Sequence, residues 1–296
     1  MTNNQLKYVI TIAEYGSFSR AAKALYIAQP SLSNQIKVLE EELGTPLFIR
    51  MHHNLKLTEA GHDFVLYAKR ILNELDNLQN LMQSYSSYSR GHLIIGALAD
   101  ASFKGLPEST VTFQKLYPRI NVKFIMDTST RLLELLLTQE IDIAILSAFE
   151  TTLKENDLQY AELYEEDFVV IIPKGHPLTD HSSLQIKDLK NEKIILPQNG
   201  SHARLLIENK FLSQEETLTP CGQCNSTEGC VQLVSSGFGI TITTASAAKK
   251  LKNDNFHIIP LLPPVRLKTY AVLLKTSYPG SIADEFFNYL QTQFRR

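Results

Sequence analysis

The sequence predicts an α/β chain in three parts, on three observations. Residues 1–58 carry helically spaced apolar residues broken by tight turns, and they end in a short β-prone hairpin. From Thr58 the apolar positions fall into a single seam long enough for one extended helix. After Gly91 strand-like and helix-like stretches alternate in two series. Length agrees: 296 residues exceed one ordinary domain, and a 44% hydrophobic fraction can bury a sizeable core.

In the first part, Gln5, Tyr8, Val9, Ile12 and Ala13 follow helical spacing, and Gly16 stops the helix. Ser17 or Ser19 caps a second helix, Phe18 to Leu25, with Ala21, Ala22 and Leu25 on its apolar side. The break Tyr26-Ile27-Ala28-Gln29 leads to Pro30, which suits the first turn of a third helix running to about Glu42 and ended by Gly44. Leu47-Phe48-Ile49-Arg50 and Leu55-Lys56-Leu57 flank Met51-His52-His53-Asn54, which reads as a hairpin tip. Thr58 then caps the long helix. Its apolar positions Phe64, Ala68, Ile71, Leu75, Leu78, Met82 and Tyr85 are spaced 4, 3, 4, 3, 4, 3, a coiled-coil seam that favours pairing with a second chain. Ser84 to Gly91 reads as a linker. The predicted boundaries are 1–58, 59–90 and 91–296.

The third part has strands at His92–Leu98, Asn121–Met126 and Ile141–Leu146, with helices near Phe103–Leu116 and Ser129–Thr138. A second series has strands near Phe168–Ile172, Lys193–Leu196, Leu218–Cys224, Gly239–Thr243 and Phe256–Pro260, and helices near Ala203–Leu212, Ser226–Ser236 and Ala245–Leu251. Lys268–Leu274 is a further strand and Ile282–Phe294 a final amphipathic helix. This alternation predicts mostly parallel sheets, in two lobes with a ligand cleft between them.

Net charge is −2, and residues 1–60 hold six basic side chains (Lys7, Arg20, Lys23, Lys37, Arg50, Lys56) against five acidic ones (Glu14, Glu40, Glu41, Glu42, Glu59). A nucleic-acid function therefore rests on placement and not on bulk charge. A helix-turn-helix needs an alanine-rich first helix, a tight turn, and a second helix with small polar residues on its exposed N-terminal face. Phe18 to Leu25, Tyr26 to Gln29 and Pro30 to Glu40 meet each requirement. Leu32, Ile36 and Leu39, flanked by Gln35 and Val38, form the buried side, while Ser31, Ser33, Asn34 and Lys37 can face DNA.

At these residues the chain resembles the LysR-type transcriptional regulators. The resemblance runs through GSFSRAAKALYIAQPSLSNQIKVLEEELGTPLFIR and then LKLTEAG. It implies DNA contacts at Gln29, Pro30, Ser31, Ser33, Asn34 and Lys37, with Arg50 at the wing and Arg20 and Thr58 beside the backbone as further candidates. Lys37, Arg20 and Arg50 would neutralise phosphates, and Asn34, Gln29 and Ser33 would read base edges. One departure is plain: the family's wing commonly has an arginine or lysine where this chain has His52-His53-Asn54, which weakens attraction to phosphate.

A weaker resemblance covers 91–296 through GHLIIGAL, EIDIAIL, PKGHPL and LVSSGFGITI. It implies an effector-binding domain of two lobes resembling periplasmic binding proteins, lobe I near 91–161 and 266–296 and lobe II near 162–265. The implied effector residues are Asp100, Ala101 and Ser102; Thr128, Ser129 and Thr130; Asn199, Ser201 and His202; and Thr227. Asp100 either selects an amino group on the effector or caps the helix that follows. The resemblance further implies a homodimer through the long helix, a homotetramer through the sensing domains, and double-stranded promoter DNA with dyad symmetry as partner. RNA polymerase is a further candidate partner.

Cys221, Cys224 and Cys230, spaced C-x2-C-x5-C, allow an alternative reading as a thiol- or metal-responsive regulator, with His202 and His257 as candidate further ligands. An odd cysteine count and the absence of an export-like apolar start predict a cytoplasmic protein. Hydrolase elbows, phosphate-binding glycine loops and zincin motifs are absent from the sequence, so a non-enzyme without cofactor is expected. Asp142, in the apolar setting Ile141-Asp142-Ile143, is expected to order the fold.

Overall fold

The computed structural model describes residues 1–51, 54–86, 91–216, 218, 220–275, 277 and 280–294; of 50, 51, 54, 76, 77, 79–86 and 103 it describes the backbone alone. The chain divides into two compact units, Met1–Ser89 with Thr138–Glu140, and Arg90–Leu137 with Ile141–Arg296.

The first unit is a winged helix-turn-helix followed by a long helix: α1 (Asn3–Tyr15), α2 (Phe18–Ala24), α3 (Gln29–Leu43), the hairpin β1 (Phe48–Met51) and β2 (Asn54–Leu57), and α4 (Glu59–Ser86). Its boundaries follow local chemistry. Thr2 and Gln5 form a capping box at α1, and Ser17, the first of the two candidates, caps α2 by accepting the Arg20 N–H at 3.4 Å. Gly16 (φ 59°) and Gly44 (φ 66°) end α1 and α3 in the left-handed region that glycine enters without penalty. Pro30 lies in the first turn of α3, where its missing N–H leaves no bond unmade. Val9, Ile12, Leu32, Ile36 and Leu39 are fully buried and form the core with Ala21, Ala22, Leu47 and Phe48. The helix α4 runs to Ser86, so Ser84 and Tyr85 extend it instead of opening the expected linker. Adding residues to a formed helix is cheap compared with nucleating one, and their modest propensities suffice. Residues 87–90 of that linker lie outside the described residues.

The second unit contains β3 (His92–Ala97), a 3-10 turn (Ala99–Lys104), α5 (Leu106–Leu116), β4 (Asn121–Met126), α6 (Ser129–Leu137), β5 (Ile143–Leu146), α7 (Glu150–Glu155) and β6 (Leu158–Pro173). It continues with β7 (Ile194–Pro197), α8 (His202–Leu212), β8 (Pro220–Cys224), α9 (Thr227–Ser235), β9 (Ile240–Thr244), α10 (Ala245–Lys250), β10 (Phe256–Pro260), β11 (Arg266–Leu274) and α11 (Ile282–Phe294). The strand order is β4-β3-β5-β11-β6-β9-β7-β8, with β10 beside β6.

The expectation of mostly parallel sheets needs correction. β3 pairs β4 and β5, and β7 pairs β8 and β9, in parallel; β11 pairs β5 and β6, and β6 pairs β9 and β10, antiparallel. The cause is β6, a 16-residue strand whose first part pairs β11 through Asp167 and whose remainder pairs β9 and β10 from Phe168 onward. It carries the chain from one lobe to the other and β11 returns it, so both run against their neighbours. Each lobe has its own apolar core, one around Leu93, Phe113, Ile143 and Phe286, the other around Phe168, Val170, Phe211 and Ile240.

Candidate functional site

In the first unit, one face of α3 is the candidate nucleic-acid interface. Leu32, Ile36 and Leu39 have no exposed surface, whereas Gln29, Pro30, Ser31, Asn34 and Lys37 are exposed and Ser33 is half-buried. Gln35 and Val38, expected to flank the buried side, are both exposed. Burying three large aliphatic side chains is worth about 1.5–3 kcal/mol each, while the exposed Lys37–Glu41 pair at 3.6 Å is worth about 0.3–0.5 kcal/mol. Burial therefore fixes the rotation of the helix, and Lys37 gives up little in exchanging Glu41 for a phosphate.

The acidic end of α3 is partly committed within the protein. Glu40 Oε1 accepts the Leu47 N–H at 2.7 Å and the Phe48 N–H at 3.1 Å, capping the start of the hairpin. Arg20 is exposed on α2. Thr58 donates its hydroxyl proton to Pro46 O at 2.8 Å and accepts the Gly61 N–H at 2.8 Å, which makes it the cap of α4. A phosphate accepts protons and offers none, so a hydroxyl committed in this way has nothing left to give it. The Arg50 side chain and His52-His53 lie outside the described residues.

In the second unit, the ends of β3, β4, β5, β7, β8 and β9 surround a cavity of about 370 Å³. Seven of the ten expected effector residues line it: Asp100, Ala101, Thr128, Ser129, Ser201, His202 and Thr227. Thr130 and Asn199 line a neighbouring cavity of about 270 Å³, shared with Ser129, Ser201 and His202. Ser102 lines neither; its hydroxyl donates to Ala99 O at 2.7 Å within the 3-10 turn. Sequence reasoning missed Ser147, Tyr164, Glu166, Thr243, Thr244 and Thr269, which form the floor. Of these only Glu166 had a signal, a carboxylate run entering an apolar strand.

Hydrogen bonds and a ring contact join the lobes across the cleft. Thr227 Oγ1 donates to Asp100 Oδ2 at 2.9 Å, Thr130 Oγ1 donates to Gly200 O at 3.1 Å, and the Phe149 and His202 rings meet edge to face at 4.6 Å. Burial holds the Asp100 carboxyl above its ordinary range, the Thr227 bond opposes this, and the Glu166 charge adds to it. Asp142 is spent on the fold, accepting the Ile94 N–H at 2.6 Å.

Burial depresses His202 from 6.5 to about 4, so the ring is neutral at physiological pH. The unfolded chain then binds the proton more tightly than the folded one, and the stability at stake is present above pH 6.5 and lost as pH falls toward 4. Moving from pH 7 to pH 5 is expected to lower the melting temperature of the wild type more than that of His202→Gln. Equal pH slopes would contradict the assignment.

The cysteine alternative finds little support. Cys221 is exposed, Cys224 half-buried and Cys230 buried, and among the described residues no three His, Cys, Asp or Glu side chains gather as metal ligands. Burial pushes the Cys230 thiol up to about 12, helped by Cys224, which leaves it protonated and a poor nucleophile.

Residues 3–62 match the family described as bacterial regulatory helix-turn-helix protein, lysR family, and residues 86–295 match the LysR substrate binding domain. The chain is similar to a probable RuBisCO transcriptional regulator of Emiliania huxleyi, 32% identical over 92% of this chain and 88% of that protein. Among solved structures it resembles a full-length OxyR variant from Pseudomonas aeruginosa, with a TM-score of 0.65 and 25% identity over 98% of this chain and 95% of that one. It also shares the fold of CbnR, a LysR family transcriptional regulator, with a TM-score of 0.72 and 22% identity over the whole of both chains.

Proposed function

The chain belongs to the LysR family of DNA-binding transcriptional regulators with an effector-binding domain, and on that premise we propose which of its residues read DNA, pair the subunits and sense the effector. The exposed face of α3 enters the major groove: Gln29, Ser33 and Asn34 read base edges, Pro30 and Ser31 pack at the groove wall, and Lys37, with Arg20 and Arg50, neutralises phosphates. The carrying observation is the two-sidedness of α3, with Leu32, Ile36 and Leu39 at 0% exposure beneath a small, polar outer face. Thr58 stays structural.

A homodimer forms along α4. Support comes from Tyr67, Ile71 and Leu78, which lie on one face of that helix and are 59%, 42% and 53% exposed. Two recognition helices then face the two halves of a dyad-symmetric site, in the cytoplasm where the chromosome lies. The small-molecule effector occupies the cleft and changes the relative stability of lobe arrangements through the Asp100–Thr227 and Thr130–Gly200 bonds. Ser129 supports this: it is buried, lines the cavity, and accepts the Ser147 N–H at 3.4 Å.

The test is a salt titration of operator binding by mobility shift on the DNA upstream of the gene. Lys37→Ala and Arg20→Ala are each expected to lower the slope of log K against log salt by about 1 per protomer and to weaken specific and non-specific binding alike. An unchanged slope would remove that residue from the phosphate contacts.

A further inference from the structure

Resting on the effector reading above, we propose that the cleft takes a small molecule bearing an ammonium or guanidinium group, received by Asp100 with the Thr244 hydroxyl as a second acceptor. The cavity lining holds three carboxylates, Asp100, Asp127 and Glu166, and no Lys or Arg among the described residues. His202, the one ring that could bring positive charge, is neutral.

The three carboxylates are not equivalent. Asp127 is exposed and accepts the Thr128 N–H at 2.7 Å. Glu166 is buried but answered, by Lys104 Nζ at 3.4 Å and the Ser246 N–H at 3.1 Å. Asp100 has the Thr227 hydroxyl and no basic partner within ion-pair distance among the described residues. A desolvated carboxylate with one neutral donor is costly, and a ligand cation relieves that cost at the moment of binding.

An independent observation points to the same place. Thr244 is 2% exposed, lines the cavity, and its Oγ1 has no hydrogen-bond partner among the described residues. Buried hydroxyls are rarely left so, and a ligand N–H directed into the cavity supplies the missing bond. A carboxylate or phosphate ester would instead face Asp100, whose charge no cation offsets among the described residues.

The full-length protein is tested by thermal shift against 1,4-diaminobutane, agmatine and arginine, beside neutral polyols, succinate, malate and sugar phosphates. The amines and guanidines are expected to raise the melting temperature. Asp100→Asn, which keeps the shape and can still accept from Thr227, should weaken them at least tenfold, and Glu166→Gln less, because Lys104 already answers that charge. Unliganded Asp100→Asn should melt at or above the wild type, since the buried charge is gone; a merely structural Asp100 would give a lower melting temperature. The proposal is overturned if no amine or guanidine stabilises the protein, if succinate or a sugar phosphate does so in their place, or if Asp100→Asn leaves amine affinity unchanged. Operator binding measured on the same preparation separates the two readings. Its loss in the wild type strikes at the regulator assignment, whereas anion preference with operator binding intact strikes only at the charge of the ligand.

Discussion

Asn34→Ala and Ser33→Arg each remove specific operator binding from a protein that still folds. Asn34 is exposed on α3, and an exposed substitution of this kind moves stability by no more than about 0.5 kcal/mol. A bidentate side-chain contact to a base is worth about 1–3 kcal/mol of discrimination, and a symmetric dimer loses it twice. The total, about 2–6 kcal/mol, is a loss of about 30-fold to about 10⁴-fold, enough to bring much of the specific range down to non-specific binding. Ser33→Arg acts by volume as well, because a small residue next to the buried Leu32 is what lets the helix approach the bases. Competition between operator and random DNA in a mobility shift reads both effects. Unaltered preference for the operator in both variants would remove the α3 face from recognition.

Gly61→Ala should cost the first unit about 1–3 kcal/mol, a drop of about 4–20 °C in its melting temperature. A Cβ at Gly61 would lie 2.1 Å from Leu47 O and 3.0 Å from Leu57 Cδ2. That carbonyl cannot simply step aside, since it also accepts the Thr58 N–H at 3.0 Å. Alanine improves helix propensity by about 1 kcal/mol, which a backbone oxygen deep inside contact distance outweighs. The strain falls where α4 meets the start of the hairpin, so operator affinity should fall with stability. A Gly61→Ala protein melting with the wild type would show that this close approach does not hold the wing.

Much of the first unit was legible because its boundaries are chemical. Gly16, Gly44, Pro30 and Ser17 act through backbone conformation and capping, which need only near neighbours. Leu32, Ile36 and Leu39 declare their face by period alone. The seam on α4 was less transparent: Phe64 packs against the core of its own unit and Ala68 is buried, while Ile71 and Leu78 remain exposed, and periodicity cannot divide the two uses.

In the second unit, β6 was read only from Phe168 onward. Its earlier half carries Glu162, Glu165, Glu166 and Asp167, a charge run that looks like a loop until β11 brings Lys268 to Glu162 at 2.8 Å and Arg266 to Asp167 at 3.1 Å. The helix starts of the cleft were visible as hydroxyl-rich segments. Its floor was not, because Ser147, Thr244 and Thr269 meet only through strand pairing between distant segments. The Ser147–Thr269 contact, 3.1 Å between hydroxyls 122 residues apart, has no local signature.

The central claim, that the outer face of α3 lies in the major groove, is tested most directly by methylation protection on the operator with the full-length protein. Guanine N7 faces the major groove and adenine N3 the minor groove. The account predicts protection of guanine N7 in both half-sites by the wild type and its loss with Ser33→Arg. Protection confined to adenine N3, or N7 protection that survives in Ser33→Arg, would contradict it.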